Sequence, residues 1–198
     1  MQGIDFWFSI GSTYTYLSVM RLPDVQEKSG VLFNWRPFSV RSIMLEMDNI
    51  PFAKKPVKQA YMWRDIERRA RHYGVPARLP APYPLSEFDL ANEIAVLARD
   101  EGWCEDYVRS TYKYWFQDGL EAGSDANLSK VLSEVGQDMT RVLRDARSDV
   151  VRKAYAAATD EARAKYIFGA PTFTVGEEVF WGDDRLDDAI AFVRSAGR

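Results

Sequence analysis

The sequence predicts an α/β protein: a four-stranded sheet assembled from the two ends of the chain, with a large all-helical insertion between them. Three observations carry this. A strand–helix–strand pattern occupies residues 1–38, helical periodicity fills 39–166, and two short alternating segments with one amphipathic helix close the chain. At 198 residues, 46% hydrophobic and 14% aromatic, the chain can bury a substantial core.

The elements follow in order. Residues 3–9 read as a strand, Asp5, Trp7 and Ser9 alternating with Ile4, Phe6 and Phe8. Residues 14–27 place Tyr16, Leu17, Met20 and Val25 at helical spacing, and Lys28-Ser29-Gly30 ends the helix. Residues 31–38 form the next strand, closed by Pro37, so the first unit is βαβ with a parallel pair and a right-handed crossover. Helices are then expected at 56–73, stopped by Gly74; at 87–101; at 103–116, rich in aromatics; after Ser124 as N-cap to near Gly136; and as one or two more over 139–165. Residues 170–175 and 178–181 read as a hairpin around Gly176-Glu177, and 184–195 as the last helix, carrying Leu186, Ile190 and Val193. This βαβ…ββα order is the thioredoxin arrangement, with 1–38 and 167–198 forming the thioredoxin-like domain and 39–166 the helical insertion.

Charge and composition exclude several classes. Lys and Arg number 26 against 29 Asp and Glu, a net charge of -3, so nucleic acid is not expected as a partner. From Lys54 to Arg78, eight basic residues face two acids, a local balance of +6. Such a run is ordinarily a solvated, ion-paired helix face; the sharper reading is a wall for a small anion. No apolar run approaches the roughly 20 residues that span a bilayer, and MQGIDFWF shows no secretory pattern, so a cytoplasmic protein without membrane contact is expected. Cys104 is the sole cysteine, which excludes CxxC redox chemistry, and no spacing suggests a metal site.

Two places carry a chemical signal. Ser12, in FSIGSTYTY, stands where a strand hands over to a helix N-terminus, a position that favours anions; an ordinary N-cap is the plainer reading. The other is FGAPTF, 168–173, where Pro171 opens a strand either as an edge residue or through a cis bond. In a thioredoxin arrangement the two face each other. His72, the only histidine, lies at a helix end and reads as a surface residue rather than part of a triad.

The chain resembles the 2-hydroxychromene-2-carboxylate isomerases and kappa-class glutathione transferases of the thioredoxin-like superfamily. The likeness runs through FWFSIGSTYTYL, WRPF at 35–38, Asn49 with Lys58, KQAYMWRDIERRARHYGVP, FGAPTF and FWGDDRL. It implies glutathione as cofactor, with Ser12 as the catalytic residue, donating a hydrogen bond to the thiolate rather than attacking. A thiol with a pKa of about 8.5 can be brought below neutrality by such a donor at a helix N-terminus. Ala170, before Pro171, would meet the cysteinyl part of glutathione through its backbone. Asp183 and Asp184 would hold the γ-glutamyl end, Asn49 and Lys58 the glycyl end, and Thr13, Tyr14, Trp181 and Gly182 belong to the same implied site. Arg36 would meet the carboxylate of an aromatic substrate. Two departures from the family pattern stand out: Thr13 replaces a usual Pro, and Ala170 a usual larger aliphatic residue.

The resemblance implies an isomerase of an aromatic-catabolism intermediate. A kappa-like transferase or peroxidase is the alternative, and a non-catalytic glutathione-binding or scaffolding protein is the reading from a different class. A homodimer is expected by analogy. The aromatic segment WCEDYVRSTYKYWF could form its interface, although such stripes are ordinarily core.

Overall fold

The structure, a computed structural model, describes residues 3–50, 52 and 55–196. Lys54 of the basic segment and the extreme positions of the two terminal segments lie outside them. Strand β1 (Ile4–Phe8) leads to helix α1 (Thr15–Ser29) and strand β2 (Phe33–Pro37). Seven helices follow: α2 (Val40–Glu46), α3 (Pro56–Tyr73), α4 (Phe88–Glu101), α5 (Cys104–Gln117), α6 (Asp125–Glu134), α7 (Met139–Ala146) and α8 (Asp149–Ala164). Strands β3 (Thr172–Val175) and β4 (Glu178–Trp181), a 3-10 turn (Asp183–Arg185) and helix α9 (Leu186–Ala196) complete the order.

The sheet order is β2-β1-β3-β4, with β1 parallel to β2 and antiparallel to β3. This is the thioredoxin-like sheet, with the helical insertion entering between β2 and β3. The ladder pairs Phe6 with Phe173 and Trp7 with Thr172, which brings the end of β1 beside the start of β3. Alternation then sorts the faces. Phe6 and Phe173 stack on one face, where Phe180 meets Phe192 of α9. Asp5, Trp7 and Arg36 share the other face, where Glu161 of α8 reaches Arg36.

Helix ends follow their sequence signals. Pro56 opens α3 and Gly74, in the left-handed region, closes it; Ser124, Asp138 and Ser148 each accept a backbone N–H at the start of α6, α7 and α8. The short α2, capped by Ser39, had no individual sequence expectation. The aromatic helix α5 is core: Tyr107, Tyr112, Trp115 and Phe116 are fully buried within the chain and are therefore not available as an interface.

Candidate active site

The turn after β1 is built before Ser12 is reached. Ser12 N–H donates to the Ser9 carbonyl at 3.0 Å. The buried Asn92 of α4 brackets Ile10, its Oδ1 accepting from Ile10 N–H and its Nδ2 donating to Ile10 O, both at 2.8 Å. A third bond, from Nδ2 to Phe88 O at 2.8 Å, ties the same amide to its own helix. The Tyr112 hydroxyl sits between the carbonyls of Ser9 and Ser12, at 3.1 and 3.0 Å. Gly11 has φ 120°, and a Cβ there would lie 2.6 Å from the Phe88 ring, so this position needs glycine on two counts.

Ser12 emerges from this turn partly exposed and caps no helix. The N-cap of α1 is Tyr14, without a side-chain cap bond, which corrects the N-cap reading of Ser12. The Ser12 hydroxyl instead donates to the carbonyl of Ala170 at 2.7 Å, across 158 positions of sequence. The Ala170–Pro171 peptide is cis. Ser12 has no base among its partners, and His72 is exposed at the end of α3, against Tyr73.

The hydroxyl next to Ser12 points elsewhere. Thr13 is buried, and its Oγ1 lies 3.0 Å from Met62 Sδ on α3, so its side chain contributes no hydroxyl beside Ser12. Tyr14 donates to Asp65 at 2.9 Å; burial, then this bond, push its hydroxyl pKa up. The buried Cys104 has its thiol pushed up by burial and offers no thiolate.

Helix α3 runs along the site. Lys58, Met62, Asp65 and Arg69 follow at spacings of four, three and four, so they share one stripe. Met62 touches Thr13, Asp65 holds Tyr14, and Arg69 pairs with Asp183 through Nε at 3.0 Å and Nη2 at 2.7 Å. From Lys58 to Arg69 the stripe rises about 16 Å, room to flank an extended tripeptide of about 10 Å. Four of the eight basic residues of the 54–78 segment are ion-paired within the protein: Arg64 and Arg71 with Glu67, Arg68 with Asp65, Arg69 with Asp183. Lys58 is exposed and makes no ion pair among the described residues.

Asp183 is 3% exposed, so its carboxylate is used inside the protein, while Asp184 beside it is exposed and paired with Arg185 at 3.0 Å. Gly182 N–H donates to Pro171 O at 2.9 Å, tying this turn to the cis-proline. Trp181, 53% exposed, packs on Phe168 and covers Gly169, where a Cβ would collide with the indole nitrogen. Asn49 is exposed just beyond α2, its N–H bonded to Met44 O.

Burial outweighs the Arg69 pairing and pushes the Asp183 carboxyl up to about 6. Above the ordinary carboxylate value of about 4, the unfolded chain has released this proton while the folded protein still holds it. The Asp183 contribution to stability is therefore greatest at acidic pH and falls as pH rises through that window. The unfolding free energy of wild type minus that of Asp183→Asn is expected to decline from pH 4 to pH 6 in denaturant titrations. A difference that grows with pH would reverse the sign.

Arg36 is not among these residues. Its guanidinium lies 3.2 Å from Glu161 and 3.6 Å from Asp5, over the Trp7 ring, and none of its contacts reaches Ser12, Ala170 or Asp183. A groove of about 820 Å³ is lined by Pro56, Gln59, Ala60 and Trp63 of α3 with Arg78 and Tyr83 opposite, a different stripe of α3 from the one that meets Thr13 and Tyr14.

The model of the DsbA-like thioredoxin domain matches residues 3–191. A 2-hydroxychromene-2-carboxylate isomerase of Sphingobium xenophagum is 30% identical over 186 residues, covering 93% of this chain and 94% of that protein. The chain belongs to the 2-hydroxychromene-2-carboxylate isomerase family. Within that family's wider kinship, glutathione S-transferase kappa 2 of Caenorhabditis elegans is 23% identical over 205 residues, covering 96% of this chain and 91% of that one. A solved 2-hydroxychromene-2-carboxylate isomerase superposes with a TM-score of 0.87 at 24% identity, covering 98% and 96% of the two chains. Membership in the isomerase family supports an isomerase on the thioredoxin-like fold.

Sequence reasoning had not singled out Asn92, Tyr112, Asp65 or Arg69. Asn92 does leave a trace, as the one amide in LANEIAVLA, a stretch that is apolar apart from it and Glu93.

Proposed function

We propose that the protein is a glutathione-dependent isomerase of a 2-hydroxychromene-2-carboxylate-like aromatic carboxylate, acting in the cytoplasm, and by resemblance a homodimer. The observation that carries this is the Ser12 hydroxyl, without a base, aimed at the half-buried carbonyl that precedes cis-Pro171. The residues suit glutathione. Ala170 lies beyond the last ladder pair of β3 and offers backbone to an extended ligand. Lys58 supplies a cation for a carboxylate, Asp184 an exposed carboxylate for an amino group, and Trp181 an apolar wall. When bound, glutathione would supply a thiolate that adds reversibly to a conjugated substrate and so permits rotation about the bond that is isomerised. Ser12 keeps its proton throughout and stabilises negative charge on sulfur. Asp183 serves from inside, holding the 182–185 turn against Arg69.

A thermal-shift titration tests the reading. At a hundredfold excess over Kd, glutathione is expected to stabilise the fold by about 2.7 kcal/mol, a rise in Tm of several degrees. Isomerisation of hydroxychromene carboxylates should depend on added glutathione. No shift with glutathione or its S-conjugates would end every glutathione-based reading, and a shift without turnover would leave the non-catalytic one.

One observation favours a second reading, a kappa-like transferase: Arg36, the sequence candidate for the substrate carboxylate, is held by Asp5 and Glu161. Arg36→Ala is accordingly expected to lower stability by about 1 kcal/mol and to reduce turnover of carboxylate and neutral electrophiles alike. A loss confined to carboxylates would return Arg36 to the substrate site.

A further inference from the structure

We propose that the Ala170 carbonyl holds the Ser12 hydroxyl in reserve, and that the hydroxyl turns to a bound sulfur only when the ligand's own backbone N–H takes over that carbonyl. The site would then activate thiols that carry a peptide N–H beside the cysteinyl carbon and leave other thiols unactivated. This rests on the glutathione reading above.

The hydroxyl carries a single proton, and that proton is already donated to Ala170 O at 2.7 Å. No neighbour can substitute for it: the Thr13 hydroxyl faces buried Met62, and the Tyr14 hydroxyl is engaged by Asp65. The Ala170 carbonyl has no other donor among the described residues. The β1–β3 ladder ends at Trp7–Thr172, the β3–β4 ladder at Thr172–Trp181, and Gly182 N–H goes to Pro171 O, one residue short. If Ser12 turned away alone, a half-buried carbonyl would be left unpaired, which opposes the turn.

A neutral thiol is a weak acceptor and gives the hydroxyl little reason to leave a carbonyl. A thiolate is a charged acceptor and binds the same proton more strongly. The exchange is therefore favourable when two things coincide: the thiol gives its proton to water, and an N–H replaces Ser12 at Ala170. A ligand lying as an extra strand past β3 presents such an N–H where the ladder stops. Hydrogen bonds are conserved in number, since one donor leaves the carbonyl and another arrives. No covalent bond in the protein changes.

The test compares glutathione with an analogue whose γ-glutamyl–cysteinyl amide is replaced by an ester, which lacks only the N–H. Each is titrated by ultraviolet thiolate absorbance, free and in complex, with complex formation followed by calorimetry. Bound glutathione is expected to show a thiol acid constant raised at least about tenfold over its free value, and the bound ester a shift of less than about threefold. In Ser12→Ala the two ligands should behave alike. An ester whose thiol is activated as strongly as that of glutathione would overturn the exchange while leaving the glutathione reading intact. An ester that does not bind would also overturn it, since the N–H would then serve docking rather than release of the hydroxyl. Glutathione that binds without any change in its own titration would instead overturn the thiolate role of Ser12, and the inference with it.

Discussion

Ser12→Ala is expected to leave the fold and glutathione binding in place while raising the thiol pKa of bound glutathione and lowering kcat/KM by about 10- to 10²-fold. The fold should survive because the hydroxyl forms one hydrogen bond, to Ala170 O, on a partly exposed residue. Its loss costs about 1 kcal/mol. The turn itself is carried by groups the substitution does not touch: Asn92 on Ile10, Tyr112 on the carbonyls of Ser9 and Ser12, and the Ser12 N–H on Ser9. The chemical loss is larger because a hydrogen bond to a charged acceptor is worth about 1.5–3 kcal/mol, which corresponds to roughly one to two pKa units. Nothing nearby compensates, since Cys104 is buried and the Thr13 hydroxyl points at Met62. Ultraviolet titration of the complex separates this from a folding defect. An unchanged titration curve alongside lost activity would remove Ser12 from the thiolate role.

How much of this was legible in the sequence differs between the fold and the site. Period-two alternation in DFWFS and 3.6-residue spacing in the middle segments were enough for β1 and for most of the insertion. The boundaries of α3 and β4 coincide with the expected 56–73 and 178–181, because proline, glycine and turn residues act locally. The pairing of Ser12 with the cis-Pro171 segment was also readable, since in the thioredoxin arrangement that the βαβ…ββα order suggests, the end of β1 lies beside the start of β3. The directions of individual side chains were not. Thr13 turns inward because Met62, 49 positions away, completes its environment. Arg36 shares a face with Asp5 and Trp7 through strand alternation, yet its second carboxylate comes from Glu161 of α8, 125 positions on. The basic segment read correctly as an ion-paired helix face for Arg64, Arg68 and Arg71, but the partner of Arg69 is Asp183. Each of these depends on a contact between distant segments, which periodicity does not encode.

The largest stability effect is expected at Asn92, a residue that touches no ligand. Asn92→Leu keeps the volume and apolar character of its surroundings but removes four buried hydrogen bonds, two to Ile10, one to Phe88 and a long one, 3.5 Å, from the Ser9 hydroxyl. Phe88 O retains its place in the helix, whereas Ile10 N–H and C=O are left unpaired beside a leucine. At about 1–3 kcal/mol for each orphaned group, the loss should reach about 3–5 kcal/mol, a large share of the 5–15 kcal/mol typical of a domain. Thermal denaturation should show a fall in Tm of about 10 °C. Activity at a temperature where the variant is folded should fall further, because Ile10 is two residues from Ser12 and Asn92 is the side chain that bonds both its N–H and its C=O. Tyr112→Phe provides the comparison. It keeps the buried ring and loses one hydroxyl shared by two carbonyls, so a cost of about 1 kcal/mol is expected, with the same direction of change in activity. An Asn92→Leu protein within about 1 kcal/mol of wild type would show that the turn is held by its own backbone and by Gly11 against Phe88. The Ser12 hydroxyl would then owe its aim to the close packing of a glycine rather than to a buried amide.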